Sequence, residues 1–197
     1  MFSIRTMLVA LASALVIASP AAAQEHAVTL FVRGGGYNGL TDLNEVGDAD
    51  FKKLGYNVGA GVAVRLHRYV SLRADGAFGR NELQVDGIET GNELSRVFYT
   101  GAVQLQYPTA SGVEPYVFAG GGGVTLHEIG TDENTTKAAG TFGIGLNYAI
   151  PRSRFGVFLE GQGWVYELNE LNGPLSGFDK TQVETGWSGG FTYRLPF

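Results

Sequence analysis

The stretch Tyr56-Asn57-Val58-Gly59-Ala60-Gly61-Val62-Ala63-Val64-Arg65-Leu66 alternates without a break between two kinds of side chain. Tyr56, Val58, Ala60, Val62, Val64 and Leu66 share one parity, and so one face of an extended chain. Asn57, Gly59, Gly61, Ala63 and Arg65 share the other. A sustained period of two predicts a strand and excludes an amphipathic helix. The second face is too small and too poor in Lys and Glu for an ordinary water-facing sheet surface. Bulky apolar groups facing acyl chains, around a crowded polar interior, fit the pattern.

The same period recurs seven more times. The first strand carries Val28, Leu30 and Val32, and the third carries Val70, Leu72, Ala74 and Phe78. The fourth has Val97, Tyr99, Val103, Leu105 and Tyr107; the fifth has Tyr116, Phe118, Val124 and Leu126. Phe142, Ile144, Leu146, Tyr148 and Ile150 mark the sixth, and Phe155, Val157, Leu159 and Val165 the seventh. The eighth ends the chain with Val183, Trp187, Phe191, Tyr193, Leu195 and Phe197, against Gln182, Glu184, Gly186, Ser188, Gly190, Thr192 and Arg194. All these bulky sets are expected to face outward.

Connections alternate in length. Leu66–Tyr69, Pro108–Val113 and Pro151–Arg154 are short, whereas Asn38–Gly55, Arg80–Asn92, Glu128–Lys137 and Glu167–Thr181 are longer and polar. Three short turns and four long loops suit an up-and-down barrel with both termini in the periplasm. Tyr69, Tyr107, Tyr116, Tyr148, Phe155, Tyr193 and Phe197 lie near the short-turn ends, where an interfacial girdle is expected.

The N-terminus supplies the export route. Arg5 precedes the uncharged apolar run Met7–Ala18, Ser19-Pro20 breaks it, and Ala21-Ala22-Ala23 offers a cleavage site. Such a run spans about 18 Å as a helix, well short of roughly 30 Å of hydrocarbon. Residues 1–23 are therefore read as a signal peptide and 24–197 as one all-β domain. Cys is absent, which excludes disulfides and thiolate chemistry. With 14 Lys and Arg against 19 Asp and Glu, nothing points to nucleic acid.

With these features in place, the chain resembles the eight-stranded outer-membrane β-barrels of the OmpA/OmpX type. The likeness rests on the strand pattern, on Glu114-Pro115-Tyr116-Val117-Phe118-Ala119-Gly120-Gly121, and on the strand ending in Phe197. It implies a monomeric, antiparallel, transmembrane up-and-down barrel in the bacterial outer membrane, in contact with outer-membrane lipid and lipopolysaccharide. Trp187, Phe191, Tyr193, Leu195 and Phe197 would then be the insertion signal read by the outer-membrane assembly machinery. Pro196 departs from the family pattern. The peptidoglycan-binding domain of full-length OmpA proteins has no counterpart after the eighth strand, so anchoring to the cell wall is not implied.

Chemistry-bearing residues are few. Inward parity brings Arg33, Arg73, Asp75, Gln104, Asn147 and Glu160 to similar depth. The cluster is expected to be a mutually satisfied plug, the alternative being a narrow gated channel of porin type. His127 and Glu128 point to opposite faces of a strand and form no base–acid pair, so a lipid-modifying enzyme is disfavoured and no catalytic residue is assigned. No cofactor or metal site is expected: Asp42–Asp48 has Val46 at a ligand position of a calcium loop and no closing Glu. The long loops are acidic, with Asp42, Glu45, Asp48, Asp50, Glu82, Asp86, Glu89, Asp132, Glu133, Glu170 and Asp179 exceeding Lys52, Lys53, Lys137 and Lys180. They are expected to serve adhesion or envelope contacts.

Overall fold

The computed structural model describes residues 27–39, 49–51, 55–85, 88–128, 134–168 and 180–196. The predicted signal peptide, most of the acidic loop residues and Phe197 lie outside these. Among the described residues the secondary structure is entirely β. The strands are β1 (Val28–Gly39), β2 (Ala49–Phe51), β3 (Gly55–His67), β4 (Val70–Val85) and β5 (Ile88–Gln106). β6 (Val113–Glu128), β7 (Asn134–Ala149), β8 (Phe155–Leu168) and β9 (Lys180–Arg194) follow.

Eight long strands pair antiparallel with their chain neighbours, and β1 pairs with both β3 and β9, so the sheet closes on itself. Closure gives every long strand two partners, the condition for placing backbone in hydrocarbon. The short β2 adds to the far end of β4 through Ala49↔Val85 and Phe51↔Leu83.

The pleat divides the side chains as the alternation predicts on seven of the eight strands. Leu72, Ile144, Leu159 and Phe191 are 48, 65, 68 and 64% exposed, while Arg33 and Arg73 are each 5% exposed. Asn147 and Thr192 lie inside, where Thr192 donates to Asn147 Oδ1 at 3.4 Å. Bulky apolar groups therefore cover the exterior.

β6 is the exception. Tyr116, Phe118, Val124 and Leu126 were expected outside, yet all four are buried in the lumen. Val117 is the outward residue, with Ala119, Gly121 and Gly123 on its parity. The cause is steric. Tyr116 pairs with Gly145 and Phe118 with Gly143, and a Cβ at either glycine would come within 2.3 and 2.4 Å of the facing ring. Glycine on β7 makes room for rings that fill the interior. Tyr116 accordingly leaves the girdle, which among the described residues keeps Tyr69, Tyr107, Tyr148, Phe155 and Tyr193 at the short-turn end. Tyr69 stacks on Tyr107 (6.1 Å) and Phe155 lies against Tyr193 (5.0 Å).

Loop lengths also change. The expected Arg80–Asn92 loop is largely strand, because β4 and β5 stay paired to Val85↔Ile88. β7 starts at Asn134, inside the expected Glu128–Lys137 loop. Polar composition had suggested loops there, but a hairpin that rises above the bilayer has polar faces on both sides and is still a sheet.

Candidate functional site

The lumen is a stack of side-chain layers. At its centre, β1 supplies Arg33, β4 supplies Arg73 and Asp75, and β8 supplies Glu160. Arg33 reaches Asp75 Oδ2 at 2.6 Å and Glu160 Oε1 at 2.9 Å. Arg73 donates to both Glu160 oxygens, one of them at 3.0 Å, and lies 3.6 Å from Asp75. Tyr116 OH donates to Glu160 at 2.8 Å, Thr100 OH to Asp75 at 2.9 Å, and Arg33 also donates to Gln162. Two cations thus meet two anions in charge balance, the condition for burying them.

Aromatic rings sheathe this network. The Arg73 guanidinium lies 4.5 Å from the Phe31 ring centre and 4.3 Å from that of Phe118. Phe31 meets Phe158 edge-on at 6.0 Å, and Arg33 sits 5.8 Å from the Trp164 ring. The negative ring faces partly replace the water that the guanidinium groups have lost.

Of the predicted lumen residues, Arg33, Arg73, Asp75 and Glu160 come together and Gln104 does not. Gln104 lies nearer the short turns, 3.0 Å from Gln106, which is 3.0 Å from Ser71. With Asn147 it lines a vestibule with about 80 Å³ of room for water. Depth counted in residues misplaced Gln104, because strand tilt carries the same count to different heights on different strands.

A second ionic layer lies toward the loop end and was not singled out from sequence. Arg96 Nε lies 2.9 Å from Glu184 Oε1, and both side chains are fully buried. Arg96 donates to Tyr37 OH at 2.7 Å and to Asn81 Oδ1 at 3.0 Å, and Tyr166 OH donates to Glu184 at 2.9 Å. Between the ionic layers Phe98 stacks on Trp164 at 4.8 Å. The signal was available: Glu184 was already on the inward parity of its strand, and Arg96 precedes outward Val97.

The remaining assignments fall on the outer wall. Trp187 and Phe191 point outward, Tyr193 packs on Phe155, and the Leu195 N–H donates to Val28 O at 2.9 Å. The exposed His127 ring meets Asn134 Oδ1 at 2.8 Å.

The family profile described as outer membrane protein beta-barrel domain matches residues 8–194. No curated protein sequence matches the chain. Among solved structures, the chain is similar to Neisserial surface protein A (NspA), with 15% identity over 86% of this chain and 97% of that one and a TM-score of 0.52. It is likewise similar to the outer membrane protein OprG from Pseudomonas aeruginosa, with 15% identity over 88% and 98% and a TM-score of 0.54. At this identity the likeness is one of fold.

Proposed function

The chain belongs to the outer membrane protein beta-barrel domain family, a family of the bacterial outer membrane, and from that membership we propose that it is a sealed, monomeric scaffold whose exposed loops make its specific contacts. The short turns and both termini face the periplasm, and the four longer connections face outward for adhesion or envelope interactions, lipopolysaccharide included. The scaffold works without a catalytic step. Residues 1–23 are removed on export, and the assembly machinery reads Trp187, Phe191, Tyr193, Leu195 and Phe197 during insertion.

The filled lumen carries this reading. Charge-balanced arginine networks at two heights, with stacked rings between them, fill the described lumen and favour the sealed scaffold over a channel. A barrel of this strand number has an interior that side chains can fill.

Planar-bilayer recording on the purified, refolded chain tests the proposal, with heat-modifiable gel mobility confirming the folded barrel. We expect no steady open conductance. Large, sustained currents from the heat-modifiable species would overturn the sealed scaffold in favour of the channel. Protease shaving of intact cells should cut only in the long connections, and cleavage at the Pro108–Val113 turn would reverse the assigned orientation.

A further inference from the structure

The vestibule below the central network has a lining unlike the rest of the lumen. Arg65 enters from β3, Arg194 from the end of β9, and Arg154 from the turn that leads into β8. The Arg194 N–H donates to Arg154 O at 2.8 Å, which holds these two residues side by side. Among the described lining residues, Glu114 is the one carboxylate, and it is already held by Arg65 at 2.6 Å. The described wall of the mouth therefore carries an excess of positive charge, although the whole chain has a net charge of −5. Serine, threonine and carboxamide side chains complete the lining with further hydrogen-bonding groups.

The vestibule ends against bulky side chains. Arg73, Phe31, Tyr116 and Phe158 form its inner wall, and Arg73 is committed to Glu160. On the sealed reading, a solute entering from the short-turn end meets a basic cup with no exit. Guanidinium forks match the paired oxygens of an oxyanion, and Arg65, Arg154 and Arg194 lining one small volume favour one with acceptors in more than one direction.

We propose that this cup is a binding site for a phosphate group, presented through the short-turn mouth of the barrel. The ligand is either a free phosphate or the phosphodiester of a phospholipid headgroup at the same membrane level, since the girdle tyrosines surround this end. The proposal requires the lumen to be closed above the cup, and so shares that premise with the sealed scaffold. It makes no use of the loops.

The test is a titration of the refolded full chain in dodecyl maltoside, which carries no phosphate, with inorganic phosphate at constant ionic strength. Backbone amide NMR shifts are the readout. Saturable shifts are expected at Gln104–Gln106 and Thr192–Arg194. The Arg154→Gln/Arg194→Gln variant should weaken binding at least about tenfold, since it removes two charge-assisted hydrogen-bonding groups. Arg68→Gln, in the β3–β4 turn, should leave it unchanged. In a second arm, short-chain phosphatidylglycerol is added to the phosphate-loaded barrel. Competition assigns the site to a headgroup, and undisturbed phosphate shifts assign it to the soluble anion. Absent or non-saturating shifts in the wild-type chain, or equal affinity in the double variant, would overturn the site. Single-channel recording on the same sample separates this failure from failure of the sealed lumen: a silent barrel without phosphate shifts defeats the cup alone.

Discussion

Glu160→Leu is the most informative single perturbation, because Glu160 is the acceptor on which the central network converges. It takes hydrogen bonds from Arg33 at 2.9 Å, from Arg73 twice, one at 3.0 Å, and from Tyr116 at 2.8 Å. Leucine fills most of the volume and returns none of these bonds. Arg33 and Arg73 then share Asp75 as their one remaining carboxylate in the cluster, at 2.6 and 3.6 Å, and the cluster passes from neutral to a net positive charge. Breaking a buried pair from one side costs about 3–5 kcal/mol. Because Asp75 keeps part of the compensation, we expect roughly 3 kcal/mol here. Urea unfolding of the vesicle-inserted barrel, followed by tryptophan fluorescence and by unheated gel mobility, measures the loss. Arg73→Met/Glu160→Leu restores neutrality with apolar groups, so it should be more stable than the sum of its single variants by more than about 1 kcal/mol. A Glu160→Leu cost below about 1 kcal/mol, or strict additivity in the cycle, would refute the argument that charge balance holds the lumen closed.

On the exterior, Leu159→Arg places a cation where Leu159 is 68% exposed on the lipid face, and it should cost about 2–4 kcal/mol in the same unfolding assay. A change within about 0.5 kcal/mol, as at a water-facing site, would contradict the facing of β8. Gly145→Ala puts a Cβ 2.3 Å from the Tyr116 ring and 2.8 Å from the Leu159 carbonyl, and overpacking should lower stability by roughly 1–3 kcal/mol. An unchanged urea midpoint would mean that Tyr116 points elsewhere. Arg96→Met leaves Glu184 buried without its cation and should lower the midpoint as strongly as Glu160→Leu; adding Glu184→Gln should restore much of the loss, and no recovery would argue against the ion pair.

Much of the barrel is legible in the period of two, because the bilayer imposes one requirement on every strand's outer face. What single strands do not reveal is which face a ring occupies when both faces are small. On β6 the bulk of Tyr116 and Phe118 predicts an outward face, and the structure buries both. Glycine is no guide either, since aromatic–glycine pairs form on both walls: Tyr116 over Gly145 inside, Phe142 over Gly163 outside. Register resolves the ambiguity. Tyr99 is outward and pairs with Gly123, so the odd residues of β6 are outward and Tyr116 and Phe118 must enter the lumen. That inference needs the pairing between strands. Among the lumen residues, Arg33, Arg73, Asp75 and Glu160 were legible because charges on an inward face have few ways to be satisfied. Gln104 was misplaced because a neutral amide finds partners at almost any height. Arg96 precedes outward Val97 and Glu184 faces inward on β9, so both are inward by parity; what parity does not show is that register brings the two to one height.

The vertical order of the layers gives the barrel two seals in series. A single ring of charges can exchange partners, and each exchange opens a transient gap. Here the central network is wedged between Phe31 and Phe118 on Arg73 and capped by the Phe98–Trp164 stack, with Arg96–Glu184 beyond it. Moving one arginine away from its carboxylate forfeits the ring contact as well as the ion pair. The same arginine would gain no water unless the next layer moved too. A conducting path therefore requires both layers to rearrange together, and the two are coupled, because Trp164 lies against Arg33 while its stacking partner Phe98 meets Tyr166 of the outer layer. Disabling one layer alone should destabilise the barrel without making it leak. Glu160→Leu and Arg96→Met should each stay electrically silent, and steady conductance in either single variant would show that one layer does all the sealing.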